Sequence, residues 1–142
     1  MRFPVKARHL APRIATGAYI LNAGLSKRRA DEQTASGLHS MASGAYPPLG
    51  KFRPTDFVKL LSTGEIILGT ALLLPVVPTA LAGTGLAAFA GGLLGMYLRT
   101  PTLHQPGSLR PTPQGIAISK DVWMLGIGIG FLVDELTSRR ER

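Results

Sequence analysis

Between Glu65 and Arg99 the chain reads IILGTALLLPVVPTALAGTGLAAFAGGLLGMYL, from Ile66 to Leu98, without a single charged side chain. As one helix rising about 1.5 Å per residue this run would be roughly 50 Å long, well beyond a hydrocarbon core of about 30 Å. It has to fold back, and Leu74-Pro75-Val76-Val77-Pro78-Thr79 marks the place. Each proline lacks a backbone donor and disfavours helix in the residue before it. The expectation is a hairpin of two membrane-crossing helices, about 57–74 and 79–98. A buried hairpin in a soluble protein would need a polar face at helical spacing, and 79–98 shows none.

On the N-terminal side, the apolar run Leu10 to Leu25 is interrupted by Arg13 and Asn22, preceded by Arg2, Lys6 and Arg8, and followed by Lys27-Arg28-Arg29. A secretory signal would want a charge-free core and a small-residue cleavage site, so this reads as a first membrane helix, about 10–26. On the C-terminal side, 116–136 is the fourth candidate, with Lys120-Asp121 one turn in and Asp134-Glu135 at its end. Its uncharged centre, Val122 to Val133, is short, so it spans only if Lys120 and Asp121 face other helices or the interface, where Trp123 also fits. The connections 27–56 and 99–115 are polar. Ala30 to Met41 is expected to form an interfacial helix, and Pro101, Pro106, Pro111 and Pro113 make 99–115 a surface loop. The predicted fold is all-α, an integral membrane four-helix bundle forming one domain over 1–142.

The net charge is +8. Because Lys and Arg flank apolar segments and form no basic face with aromatic platforms, membrane lipid is the expected counter-charge and nucleic acid is not an expected partner. The chain has no cysteine, which excludes structural disulfides, thiol redox catalysis, cysteine-ligated iron–sulfur clusters and covalently attached haem. His9, His39 and His104 all fall outside the apolar cores, so no pair is placed to ligate a haem between helices, and each reads as solvated or interfacial. No metal site and no catalytic residue is assigned, since Walker, HExxH and GxSxG patterns are missing. Redox chemistry would belong to a partner, with a quinone as the one cofactor class to consider.

Charges inside apolar spans are expensive, which makes Arg13, Glu65, Lys120 and Asp121 the informative positions. Counted from the end of the bundle where the first helix finishes, Asp121 lies about 7 to 8 Å deep, Glu65 about 12 Å and Arg13 about 18 Å. An extended arginine covers the last difference, so an Arg13 to Glu65 ion pair is expected below a vestibule holding Lys27, Lys59, Lys120 and Asp121. Such a cluster can pin helices together, or it can form a polar pocket for a proton, a quinone head or a polar solute. Gly91-x-x-x-Gly95 and Gly126-x-x-x-Gly130 are small-residue pairs one turn apart, expected where helices of the bundle approach closely.

Taken together, Arg13-x-x-x-Gly17 with Asn22-Ala23-Gly24-Leu25-Ser26-Lys27, then Leu61-Ser62-Thr63-Gly64-Glu65-Ile66-Ile67-Leu68-Gly69, then Lys120-Asp121 opening the fourth helix, resemble the DoxX family of small four-helix membrane proteins over nearly the whole chain. The resemblance implies a four-helix membrane bundle, and some relatives act as membrane subunits in quinone-linked sulfur oxidation or other redox assemblies. The function it implies is a non-catalytic subunit that anchors or assists a redox complex, with another membrane or membrane-associated protein as partner. A small transporter or a lipid- or solute-binding protein using the same pocket is the alternative. The location expected is a bacterial cell membrane, multi-pass. Its cations divide almost evenly between the two sides; Asp31, Glu32 and Asp56 on the first connection and the usual lead of the first helix place both termini in the cytoplasm.

Overall fold

The computed structural model describes residues 4–140; Arg2, named above ahead of the first helix, lies outside the described residues. The described residues form an all-helical fold, with α1 (Ala7–Lys27), α2 (Glu32–Ala45), α3 (Pro54–Leu73), α4 (Thr79–Arg99), the short α5 (Ile116–Ser119) and α6 (Asp121–Arg140). Local chemistry explains most boundaries. Asp31 caps α2 by accepting a bond from the Thr34 amide at 2.7 Å, a preferred N-cap arrangement. Pro54 opens α3, where its missing donor costs nothing. The hairpin turns at Leu74 to Pro78, and α4 restarts at Thr79. Lys120 interrupts the last helix for one residue, and the Trp123 amide bonds back to its carbonyl at 3.0 Å.

The four long helices run alternately up and down and pack as two antiparallel pairs, α1 with α3 and α4 with α6. Within each pair two glycines let the backbones meet. A Cβ on Gly69 would lie 2.6 Å from the Leu21 amide nitrogen and 2.8 Å from the Gly17 carbonyl, and one on Gly128 would lie 2.8 Å from the Ala87 amide nitrogen and 3.0 Å from the Gly83 carbonyl. Only glycine fits such approaches. The predicted pairs are elsewhere. A Cβ on Gly91, Gly126 or Gly130 would meet nothing, and Gly95 lies beneath the hydroxyl of Tyr46, which donates to the Gly92 carbonyl at 2.7 Å. Gly91, Gly126 and Gly130 face no neighbouring helix and Gly95 packs on Tyr46, while the helices meet along Gly17, Gly69, Gly83 and Gly128.

At one end α2 lies across α3 and α4, closing the bundle with Ala35, Ala42 and Ala45 against Phe57, Val58 and Met96. Deeper in the bundle, Ile20, Leu72, Ala82, Leu86 and Phe131 form a second core. The 100–115 loop folds back on the α2 end. Leu103 is buried in it, and the Tyr97 hydroxyl donates to the Leu109 carbonyl at 2.6 Å. Among the described residues two helices, Thr79–Arg99 and Ile116–Arg140, are long and apolar enough to cross a membrane, with mean hydropathy 1.5 and 1.7 over their most apolar stretch. α1 and α3 do not reach that level.

Candidate functional site

A cavity of about 460 Å³ lies between the two helix pairs, with α2 over one end. Ile20 and Ala23 of α1, Leu61 of α3, Phe89 of α4 and Met124 of α6 give it apolar walls, and α2 adds Leu38 and Met41. Three charged side chains share it: Lys27, Glu65 and Asp121. Lys27, the last residue of α1, reaches inward so that Nζ sits 3.0 Å from Glu65 Oε1. Glu65 is only 4 % exposed, and its second oxygen, Oε2, is buried without a hydrogen-bond partner among the described residues. Asp121 is also buried and opens α6, where the helix N-terminus favours a carboxylate.

Part of the predicted cluster is therefore assembled and part is not. Glu65, Asp121 and Lys27 come together, whereas Lys59 and Lys120 are exposed. Arg13 does not pair with Glu65. It is 1 % exposed and turns the other way, spending all five guanidinium N–H groups on the end of α3 and the hairpin. Nε donates to the Leu72 carbonyl at 2.8 Å. Nη1 donates to the Val77 carbonyl and Thr79 Oγ1, both at 2.9 Å, and Nη2 to the carbonyls of Ala71 at 2.7 Å and Leu74 at 3.0 Å. The last carbonyls of a helix have no intrahelical donor and carry partial negative charge, so a cation there needs no carboxylate. Lys27, the last residue of α1, extends its long side chain to the carboxylate instead.

Two further polar assemblies were missed. Beside the cavity, buried Ser62 donates to the Gly24 carbonyl at 2.7 Å and accepts from Arg28 Nε at 3.1 Å, tying α1 to α3. At the opposite end of the bundle, Asp134 lies 2.8 Å from Lys6 Nζ, 2.9 Å from Arg8 Nη2 and 2.8 Å from His9 Nε2. Glu135 lies 3.1 Å from Lys6. His9, expected to be solvated or interfacial, is buried, and its Nδ1 faces Thr79 Oγ1 at 3.3 Å. Thr79 thus joins the Arg13 cap to this clasp. Hydrogen bonds to Asp134 and then Glu135 hold the Lys6 ammonium above its ordinary pKa. The ligating atoms of His9, Asp134 and Glu135 lie within 4.8 Å of one another, but Lys6 and Arg8 already neutralise both carboxylates, so the group reads as a clasp between α1 and α6. The pairing of Lys6, Arg8 and His9 with Asp134-Glu135 was available in principle, since alternating helices put both groups at one end.

Comparison of the chain with protein families, with curated proteins and with solved structures finds no match.

Proposed function

We propose that this chain is a multi-pass membrane protein of four spans that binds a small amphipathic molecule in the cavity between its helix pairs. The observation that carries the reading is Glu65: a buried carboxylate with one oxygen on Lys27 and the other unsatisfied, on the wall of an otherwise apolar cavity of about 460 Å³. An unpaired buried acceptor costs about 1 to 3 kcal/mol, and a ligand donor recovers it. Apolar walls with a few convergent polar groups are the usual make-up of a small-molecule site.

Burial supports the membrane setting. The core helix of a soluble protein is mostly buried, whereas the most apolar stretches of Thr79–Arg99 and Ile116–Arg140 are 33 % and 17 % buried. Large apolar side chains such as Leu60, Ile67, Leu81, Trp123 and Val133 are exposed around the outside, which suits contact with lipid tails. The exposed Lys59 and Lys120 join Lys27, Arg28, Arg29, Lys51, Arg53, Arg99 and Arg110 at the α2 end. That tips the cation balance and, by the positive-inside rule, favours a cytoplasmic α2 end with the termini outside, the reverse of the orientation expected from sequence.

A quinone-linked subunit of DoxX type in a bacterial membrane is the second reading. The cavity accommodates it, because Lys27 can donate to a quinone carbonyl and Glu65 can accept from a quinol hydroxyl. One experiment tests both. The full chain is purified from membranes in mild detergent and released from it in native mass spectrometry. A bound small molecule that is lost in Glu65→Gln, with the variant still folded, supports the binding reading. A stoichiometric redox protein in the same preparation supports the second. Wild-type protein with neither contradicts both.

A further inference from the structure

The cavity is not sealed toward the outside between α3 and α4. Although the hairpin joins these helices, they touch little along their length, and a groove of about 610 Å³ separates them. Its walls are apolar: Leu60, Ile67 and Ala71 on α3, Leu81 and Gly85 on α4. Glu65, Phe57, Leu61 and Phe89 line both groove and cavity, so the two spaces adjoin at these four residues. From Leu60 to Ala71 the groove follows α3 for about 16 Å, and a Cβ on Gly64, in its floor, would meet nothing within 4 Å.

We propose that this groove holds the hydrocarbon tail of the ligand, so that the ligand is a single-tailed amphiphile taken sideways from the bilayer with a primary ammonium head at Glu65 Oε2. The inference rests on the binding reading above and deepens it. The tail follows from the groove, which is apolar, opens on the lipid-facing side and passes the residue whose second oxygen needs a partner. The head follows from charge. Two buried carboxylates, Glu65 and Asp121, face one ammonium, Lys27, so the site has an unmet acceptor and a surplus of negative charge, both answered by a cationic donor. A carboxylate head would add a third anion, and an acceptor-only head would leave Oε2 unsatisfied.

The test uses the full-length protein in nanodiscs and hexadecylamine carrying a diazirine at the tail end. After irradiation, adducts are expected on groove residues such as Leu60, Ile67 and Leu81. Unlabelled hexadecylamine should compete, while palmitic acid or a methyl ketone of the same length should compete at least about tenfold less well, the worth of one charge-assisted hydrogen bond. Gly64→Leu puts a side chain into the groove, where its Cβ meets nothing within 4 Å, and should cut labelling about tenfold, while binding of short-chain butylamine, read by saturation-transfer NMR, is unchanged. Adducts on Leu38 and Met41 would mean that the tail runs under α2; this overturns the groove assignment and leaves the cavity reading standing. Equal competition by palmitic acid or the ketone overturns the ammonium head. Absence of both labelling and butylamine binding overturns this inference and the binding reading together.

Discussion

Replacing Arg13 should damage the fold through the α3 terminus and the hairpin, not through Glu65. The guanidinium makes five hydrogen bonds, four to backbone carbonyls and one to Thr79. In Arg13→Met the aliphatic stem is kept and those acceptors lose their donor. At roughly 1 kcal/mol for each orphaned acceptor, less the gain from no longer burying a cation, the net loss is about 2 to 4 kcal/mol. Arg13→Lys keeps the charge and three donors but lacks the planar fork, so it should lose about half as much. Reversible unfolding in mixed detergent micelles, followed by circular dichroism, gives these differences. The decisive quantity is the cycle with Glu65→Gln. Because Arg13 and Glu65 have separate partners, their effects should add within about 0.5 kcal/mol. A coupling energy above about 1 kcal/mol, or an Arg13→Lys protein as stable as wild type, would refute the capping role.

The Lys27 and Glu65 pair should behave in the opposite way: single neutralisations leave a buried charge uncompensated, and the double-mutant cycle of Lys27→Met with Glu65→Leu should show more than about 1 kcal/mol of coupling in the same assay. Gly17→Leu and Gly83→Leu should each lose about 1 to 3 kcal/mol or fail to accumulate in membranes, because their Cβ atoms would press on the facing helix. Gly91→Leu and Gly126→Leu should accumulate like wild type. The pKa of Lys6 is raised in the folded state above its ordinary 10.5, so the clasp's contribution is fully present below about pH 10.5 and fades as pH rises through the higher folded value. An alkaline stability titration should show that fall in wild type and lack it in Lys6→Met.

The hairpin was legible because Pro75 and Pro78 act locally, whatever surrounds them, and the second short helix because Asp31 and Thr34 form its cap within one turn. Helix 10–26 emerged as Ala7–Lys27, 57–74 as Pro54–Leu73, 79–98 as Thr79–Arg99, and 116–136 as two segments hinged at Lys120. Partners were less legible. Depth along a helix axis is one coordinate, and it placed Arg13 within reach of Glu65; the rotation of α1, which sends Arg13 toward the α3 C-terminus and Lys27 to Glu65, is not in the spacing of a single helix. The glycine pairs failed for the same reason, since a GxxxG pattern reports smallness and not the face that meets a neighbour. His9 looked peripheral because its partners, Thr79 and Asp134, are brought to it only by the assembled bundle.

The central claim is that two helix pairs cross the bilayer and enclose the cavity within it. Single cysteines at Ser36, Val76, Leu109 and Arg140, all outside the cavity walls, can be probed in intact cells and inverted vesicles with a membrane-impermeant maleimide, the chain having no cysteine of its own. Ser36 and Leu109 should label from one face and Val76 and Arg140 from the other, with the α2 face cytoplasmic. Labelling of all four from the same face, or release of the protein from membranes by alkaline carbonate, would contradict the account.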